Sequence, residues 1–159
     1  MKNVLAMLDQ IGIDYVLYEH EPFFTCEDSA PFYEKVEGGN SKNLFLRNRK
    51  GDQHYLLVME ADKQANIQAV AKAIGESKLG FASPERLEKW LKLKPGSVSP
   101  FGLLNDLDKH VIVLIDQDLL KHEKLHYHPN VNTATVELTR EDFRKFLDWS
   151  GHEVRELIV

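Results

Sequence analysis

The chain has 159 residues, of which 43% are hydrophobic and 28% are charged, and its formal net charge at pH 7 is −5. This composition is typical of a globular domain long enough to bury a core, and it excludes a disordered tail, a collagen and a coiled-coil rod. No apolar run approaches about 18 residues, so the sequence predicts no membrane span. The lone Cys26 favours a reducing environment over a disulfide framework. We therefore expect a single cytoplasmic domain over residues 1–159 that does not associate with membranes.

Hydrophobic spacing predicts the elements of the first half of the chain. Apolar residues recur at helical spacing over 4–11, and the β-branched and aromatic stretch 15–20 is typical of a strand. Thr25, with an aspartate three residues later, resembles a helix N-cap. The segments 43–47 and 54–59 flank a turn that contains glycine, which predicts a β-hairpin.

The second half mixes helices and strands without a regular βαβ alternation. A helical face is predicted over 67–74, a further helix begins after Ser83 with a proline at its first position, and a last helix begins after Thr139. The predicted strands are 111–115, 125–127, 133–137 and, at an edge, 154–158. The pattern predicts an α+β domain with a mixed, mostly antiparallel sheet.

Histidines and the single cysteine offer alternative catalytic sites. His122, Glu123 and His126 match H-E-x-x-H, in which a helix would bring two zinc ligands and a base together. The proline directly after His128 ends any such helix, so a zinc hydrolase is only a remote alternative. On a strand His126 and His128 would share one face and could bind a metal with Cys26, which could also act as a nucleophile. A turn histidine and a small buried cysteine explain these residues better, and we expect no metal or other cofactor.

Basic residues cluster in two segments of this otherwise acidic chain. The net charge opposes general binding of polyanions, although a local basic surface can still hold nucleic acid. The first cluster comprises Lys42, Arg47, Arg49 and Lys50, and the second comprises Arg86, Lys89, Lys92 and Lys94. Charge pattern alone favours a solvated face for both clusters.

The segment 96–102, Gly-Ser-Val-Ser-Pro-Phe-Gly, fixes a tight backbone path with two glycines and a proline. Consecutive N–H groups in such a turn can form an anion-binding nest or an oxyanion hole. Taken alone, the segment is better explained as a turn that leads into a strand.

Three segments, in their order and spacing, carry a resemblance to a known family. They are Ser-Lys-Asn-Leu-Phe-Leu-Arg at 41–47 with the Asn-Arg-Lys-Gly that follows it, the 96–102 segment, and His-Pro-Asn-Val-Asn-Thr-Ala-Thr at 128–135. The chain resembles the YbaK/ProX family of aminoacyl-tRNA deacylases, the prolyl-tRNA editing proteins, over nearly its whole length. The Lys-Asn-Leu-Phe-Leu run is most similar to the branch that deacylates Ala-tRNA(Pro). Each motif is short, so the specificity of the resemblance comes from the set.

The resemblance implies a compact, mixed β-sheet barrel wrapped by helices. It also implies trans-editing, in which a free-standing enzyme hydrolyses alanine from mischarged tRNA(Pro) without a cofactor. Mischarged tRNA(Pro) is the expected partner, prolyl-tRNA synthetase is a candidate partner, and the protein would be a monomer or a homodimer. The alternatives are a Cys-tRNA(Pro) deacylase and a non-catalytic tRNA-binding module of the same fold.

The resemblance also implies roles for individual residues. The expected catalytic residues are Lys42, Gly96, Ser99, Pro100 and His128, and the expected substrate-binding residues are His20, Phe24, Thr25, Asn43, Ser97 and Val98. The expected tRNA contacts, Arg47, Arg49 and Lys50, follow from the positive charge of the hairpin and not from the resemblance. An ordinary lysine is protonated near neutral pH, which favours Lys42 as a positive charge beside the phosphate or the ester over a general base. One methylene contributes only about 1–3 kcal/mol of attraction, so attraction alone cannot separate alanine from proline. A pocket too small for the pyrrolidine ring would instead spare prolyl-tRNA by steric exclusion.

Overall fold

The structure is a computed structural model that describes residues 1–22, 31–32 and 38–159. The helix N-cap predicted at Thr25 and the candidate residues Phe24 and Cys26 lie outside these ranges. Within the described ranges, no helix is both long and apolar enough to cross a membrane.

Four α-helices lie wholly within the described residues, and three of them begin at a side-chain cap. They are α1 (Lys2–Gln10), α2 (Ile67–Ile74), α3 (Pro84–Leu91) and α4 (Arg140–Ser150). The side chains of Asn66, Ser83 and Thr139 accept hydrogen bonds from N–H groups in the first turns of α2, α3 and α4. The caps predicted at Ser83 and Thr139 are thus confirmed, and they satisfy backbone donors that a helix start leaves unpaired.

The described strands form a mixed sheet. They are β1 (Val16–Glu19), β2 (Gly39–Asn48), β3 (His54–Glu60), β4 (Leu79–Phe81), β5 (Ile112–Asp116), β6 (Lys124–Tyr127), β7 (Ala134–Thr139) and β8 (Val154–Leu157). Their order is β1-β7-β6-β2-β3-β5-β8, and β4 pairs with β2 off this path. The pairs β2–β6, β3–β5 and β5–β8 are parallel and the other described pairs are antiparallel. The predicted α+β class with a mixed sheet is confirmed.

Strand β2 has two different neighbours along one of its edges. Gly39 and Asn40 pair with β6, whereas residues 46–48 pair with β4, and β3 occupies the opposite edge. Between these two pairings β6 and β4 diverge, so residues 41–44 have no strand partner on that edge among the described strands. We call this stretch, residues 41–44, the β2 split.

Hydrophobic clusters cover both faces of the sheet. The larger cluster includes Phe45, Phe101 and Tyr127, and the smaller one includes Leu46 and Met59. Since neighbouring residues of a strand point to opposite faces, the odd-numbered residues of β2 face the larger cluster and the even-numbered ones face the smaller. Lys42 therefore lies on the face of the smaller cluster, as its pairing with Met59 also requires.

The strands and helices predicted within the described ranges are present, with ends that differ by a few residues. Strand β4 is not predicted by the sequence, because it has three residues with a central glycine and depends on pairing with β2. The 96–99 segment leads into a 3-10 helix over Pro100–Asn105 and not into a strand. A second 3-10 helix spans Leu119–Lys121.

Candidate functional site

Lys42 and His128 both lie just beyond the paired residues of the β2–β6 ladder. Asn40 pairs with His126 in the parallel β2–β6 ladder, and each candidate residue follows its ladder residue by two positions. Side chains two apart on a strand share a face. The ladder itself ends at Asn40 and His126, and Lys42 and His128 each follow it by two residues beside the β2 split.

The Lys42 side chain is partly buried and held by a backbone group. Its ammonium donates a hydrogen bond to the carbonyl oxygen of Lys63, in the loop after β3. The Lys63 ammonium lies 3.0 Å from the Asp116 carboxylate and 2.6 Å from that of Asp118. No carboxylate of the described residues forms an ion pair with Lys42, so its charge is not neutralised by them.

His128 and His20 form a ring pair at one end of the β1–β7–β6 strands. Their ring centroids are 6.2 Å apart. His128 Nδ1 lies 2.9 Å from the carbonyl oxygen of Ala134, and His20 Nε2 lies 2.8 Å from the hydroxyl oxygen of Thr135. The pairing of β1 with β7 thus brings together two histidines that are far apart in sequence.

Burial keeps His128 neutral at neutral pH. Desolvation lowers its pKa below the ordinary value of 6.5 and nearby His20 lowers it further, while the hydrogen bond to Ala134 acts in the opposite direction. The carbonyl oxygen of Ala134 can only accept, so Nδ1 carries the ring proton and Nε2 carries a lone pair. At Nε2 the ring can accept a hydrogen bond or a proton.

Phe32 and Tyr18 contribute to this region, although the sequence analysis does not single them out. The Phe32 ring centroid lies 5.0 Å from that of His20 and 5.5 Å from that of Tyr18. The Tyr18 hydroxyl lies 3.4 Å from a carboxylate oxygen of Glu137. Alternation along β1 could have placed Tyr18 on the face of His20, but no sequence pattern marks Phe32, which reaches the site through a tertiary contact.

The 96–100 loop is anchored in the larger core. Ser99, Pro100 and Phe101 are buried, and the Phe101 ring packs edge-on against Tyr127 with centroids 6.1 Å apart. The Ser99 hydroxyl accepts a hydrogen bond of 3.1 Å from the N–H of Phe101. Gly96 has a φ of 88°, a left-handed conformation that favours glycine. The loop backbone is therefore fixed from both ends.

Three N–H groups of this loop make no hydrogen bond with the described residues. They belong to Gly96, Val98 and Ser99, whereas the N–H of Ser97 donates to the carbonyl oxygen of Lys94 at 3.0 Å. Fixed donors without an internal partner are what an anion or a developing oxyanion requires. The backbone of the loop can supply them without any movement of a side chain.

The loop and the β6–β7 turn share a hollow of about 370 Å³. Lys92, Leu93, Lys94 and Ser97 line one side of this hollow, and Asn130, Val131, Asn132 and Thr133 line the other. The N–H of His20 donates to the carbonyl oxygen of Thr133 at 3.0 Å, so the hollow borders the histidine pair. Among the contacts of the described residues, none joins Lys42 directly to the loop.

The H-E-x-x-H segment does not form the helix that a zinc hydrolase of this type needs. His126 lies on strand β6, and His122 follows the 3-10 helix Leu119–Lys121 in extended conformation. Their Nε2 atoms lie 2.7 Å from Glu60 and 2.9 Å from Glu137, two separate carboxylates. The described residues contain no group of three or more potential metal ligands. The zinc-helix alternative is wrong, because His122 is extended and His126 lies on a strand.

The other predicted residues are spread along β2 and its turn. Asn43 points to the face opposite Lys42, and its Oδ1 is buried without a hydrogen-bond partner among the described residues. Arg47 lies near the end of β2, and Arg49 and Lys50 are exposed in the turn. At about 3.3 Å per strand residue, these cations lie roughly 15–25 Å from Lys42.

Comparison with known sequences identifies the family. Residues 20–146 match the aminoacyl-tRNA editing domain. The prolyl-tRNA editing protein ProX of Acetoanaerobium sticklandii is 42% identical over 97% of this chain and 94% of its own length. The prolyl-tRNA synthetase associated domain-containing protein 1 of Bos taurus is 34% identical over 92% of this chain and 87% of its own. The multifunctional Ser/Thr-tRNA deacylase ProXp-y of Escherichia coli K12 is 28% identical over 64% of this chain and 62% of its own.

Solved structures share the fold. The hypothetical protein APE2540 superposes with a TM-score of 0.75 at 20% identity, over 96% of this chain and 97% of its own. A candidate trans-editing enzyme for prolyl tRNA synthetase superposes with a TM-score of 0.72 at 21% identity, over 99% of this chain and 96% of its own. The resemblance drawn from the sequence motifs is thus confirmed by sequence and by fold. Since the domain match spans most of its residues and ProX matches nearly all of them, this chain belongs to the aminoacyl-tRNA editing domain family, whose members include aminoacyl-tRNA deacylases.

Proposed function

We propose that this chain is a trans-editing hydrolase that removes mischarged alanine from tRNA(Pro). The names of its relatives, a prolyl-tRNA editing protein and a Ser/Thr-tRNA deacylase, support deacylation of aminoacyl-tRNA, and the whole-length match to ProX favours tRNA(Pro). The observation that supports the proposal is that Lys42 and His128 each follow the end of the β2–β6 ladder by two residues, beside the β2 split.

The reaction needs little activation of the nucleophile. An aminoacyl ester is already reactive, so the enzyme has to place a water molecule and stabilise the oxyanion that forms when this water adds to the carbonyl carbon. The bond between that carbon and the ribose oxygen then breaks, and the leaving oxygen takes a proton. The 2′-hydroxyl of the terminal adenosine lies on the same ribose as the ester and can assist the reaction by hydrogen bonding. Such assistance is consistent with a site in which the described residues form no Ser–His or Cys–His dyad.

Lys42 supplies a positive charge in this scheme. Its ammonium is directed by the carbonyl oxygen of Lys63 and lacks a carboxylate partner among the described residues. A compact ammonium of this kind stabilises the terminal phosphate or the developing negative charge at the ester.

The backbone of the 96–100 loop is proposed to receive the oxyanion. The N–H groups of Gly96, Val98 and Ser99 make no hydrogen bond with the described residues, and burial of Pro100 and Phe101 fixes their positions. Loss of one such donor typically costs about 3 kcal/mol, or about a hundredfold in rate.

His128 is proposed to act through its neutral ring. Its lone pair at Nε2 can accept a hydrogen bond from the attacking water or from the substrate ammonium group. The lowered pKa of His128 keeps this lone pair present at neutral pH.

Selection against proline is proposed to be steric. The ring centroid of His20 lies 5.0 Å from that of Phe32 and 6.2 Å from that of His128, so the three rings form a crowded aromatic wall. A wall that admits a methyl side chain and excludes a pyrrolidine ring spares correctly charged tRNA. The predicted substrate contacts Phe24 and Thr25 lie outside the described residues.

A deacylation panel tests the proposal. Purified protein is incubated with Ala-, Cys-, Ser- and Pro-tRNA(Pro) and with Ala-tRNA(Ala), and release of the amino acid is followed. We expect rapid hydrolysis of Ala-tRNA(Pro), slower hydrolysis of Cys-tRNA(Pro), Ser-tRNA(Pro) and Ala-tRNA(Ala), and no hydrolysis of Pro-tRNA(Pro). Preferred hydrolysis of Cys-tRNA(Pro) would replace the assigned substrate, and tRNA binding without any hydrolysis would replace the enzyme with a binding module.

A further inference from the structure

A basic groove lies at the end of β2 that is distant from Lys42. It has a volume of about 330 Å³ and is lined by Arg47, Asn48, Arg49, Lys78 and Gly80. We call it the hairpin groove. Arg47 pairs with Gly80 in the β2–β4 ladder, and Asn48 pairs with Leu79. Arg49 and Lys78 adjoin the ends of this ladder and bring two further cations to the same groove.

The charges of the hairpin groove are not neutralised by the described residues. None of Arg47, Arg49 and Lys78 forms an ion pair with a described carboxylate. The nearby hairpin carboxylate, Asp52, is engaged by the side-chain amide of Asn48 at 2.7 Å. The groove lining therefore carries three cations and no carboxylate, while Asp52 and Glu76 line the adjoining hollow that Arg49 also borders.

Arg86 extends this field toward α3. Its Nη1 donates to the carbonyl oxygen of Gly51 at 2.8 Å. An added Cβ at Gly51 would lie 2.8 Å from Arg86 Nη2 and 3.2 Å from Arg47 Nη1, so the two guanidinium groups approach the same turn. Two guanidinium groups that approach one turn are well suited to bind phosphate oxygens.

Helix α3 connects the hairpin groove to the hollow beside the 96–100 loop. Arg86 lies near its start, and Lys92 and Lys94, just after its end, line the hollow. A helix of this length spans about 12 Å. Basic residues therefore lie near the start of α3 and just after its end, and the helix between them also carries Glu88.

We infer that the hairpin groove binds the sugar-phosphate backbone of RNA. On the proposed function, on which this inference rests, that RNA is the acceptor arm of the aminoacyl-tRNA, held while its 3′ end reaches Lys42. The groove lining contains no aromatic side chain on which a base could stack. It therefore fixes the position of the RNA and does not read its sequence.

Gly80 offers a clean test of the groove. An added Cβ at Gly80 meets no atom within 4 Å, so Gly80→Glu can place a carboxylate among the cations without a steric clash. Phe81, its neighbour on β4, is 64% exposed and points to the opposite face. Phe81→Glu adds the same charge one residue away and is the matched control.

The experiment measures binding of uncharged tRNA(Pro) by fluorescence anisotropy over a series of salt concentrations. We expect Gly80→Glu to weaken binding by about tenfold or more and Phe81→Glu to change it less than about twofold. Lys78→Ala should reduce the slope of log affinity against log salt by about 1, whereas Lys72→Ala on α2 should leave the slope unchanged. Thermal unfolding of each variant checks the fold.

Equal binding by Gly80→Glu and Phe81→Glu, or an unchanged salt slope in Lys78→Ala, overturns the inference. Hydrolysis of Ala-tRNA(Pro) by the wild-type protein is measured in parallel. If that hydrolysis is absent while the groove variants still lose RNA binding, the proposed function fails and the groove assignment stands. If hydrolysis is present and the groove variants bind normally, the groove assignment fails and the proposed function stands.

Discussion

The Lys42 ammonium donates to the carbonyl oxygen of Lys63, which ties the candidate catalytic lysine on β2 to the loop after β3. Lys63 is itself anchored, because its side chain bridges the carboxylates of Asp116 and Asp118. The position of the Lys42 charge therefore depends on a chain of contacts that begins at a buried carboxylate.

Replacement of Lys42 should abolish editing and preserve the fold. Lys42→Ala removes the positive charge beside the β2 split, and we expect kcat/KM for Ala-tRNA(Pro) to fall by about a hundredfold or more. Lys72→Ala, which removes a charge from the exposed part of α2, should keep wild-type activity. Deacylation rates and far-UV circular dichroism measure both effects, and wild-type activity in Lys42→Ala would remove this residue from the mechanism.

Replacement of Asp116 should disturb both stability and catalysis. Its buried carboxylate accepts hydrogen bonds from the N–H groups of Glu60 and Asp118 at 3.2 and 3.1 Å and pairs with Lys63 at 3.0 Å. Asp116→Ala leaves these donors unsatisfied, which should lower the free energy of unfolding by about 2–4 kcal/mol. Urea denaturation measures the loss, and kcat should also fall because the Lys63 carbonyl oxygen is released.

Asp118→Ala is the comparison for this network. The Asp118 side chain also pairs with Lys63 but is 40% exposed, so its removal should lower the free energy of unfolding much less than the removal of Asp116. A larger loss in Asp118→Ala than in Asp116→Ala would show that the buried carboxylate does not anchor the loop.

The pH dependence of the reaction should report the neutral ring of His128. Burial lowers its pKa below 6.5, so the ring has lost its proton at neutral pH and gains one only in more acidic solution. We expect kcat/KM to be level around neutral pH and to fall below pH 6.5 as Nε2 becomes protonated. His128→Gln should be less active and should lack this acid limb. A wild-type rate that rises on acidification contradicts the assigned role.

Stability should fall in acid because of His54. This buried histidine has its pKa lowered to about 4, first by desolvation and then by the charges of His110 and Arg86. Between pH 6.5 and 4 the unfolded chain binds a proton at this position and the folded chain does not, so the free energy of unfolding decreases as the pH falls. The full effect is about 3 kcal/mol. Urea denaturation at pH 7.5 and 4.5 should show a larger loss in wild type than in His54→Gln, and equal losses would exclude His54 as the cause.

Removal of metal should leave the reaction unchanged. His122 and His126 are bonded to separate carboxylates, and His126 lies on a strand. Protein dialysed against a strong chelator should hydrolyse Ala-tRNA(Pro) at the rate of untreated protein. Loss of activity that zinc restores would show that the proposed mechanism omits a metal.

Local sequence patterns predict most of the described fold because the relevant interactions are short in range. The Ser83 and Thr139 caps lie within one turn of the donors they satisfy, and the β2–β3 hairpin closes over a short turn. Strand β4 escapes prediction because its three residues depend on pairing with β2, about thirty residues earlier in the chain, and on burial of Leu79 in the smaller cluster.

The sequence by itself determined the family, the α+β class and the residue types of the candidate site, since these reside in local patterns and short motifs. Only the tertiary structure decided that Lys42 and His128 both follow the end of the β2–β6 ladder, that Phe32 packs on His20, and that Arg49 and Lys78 line one groove. These relationships come from strand pairing and packing between distant segments. Their geometry is fixed by the register of the sheet, which no local sequence pattern specifies.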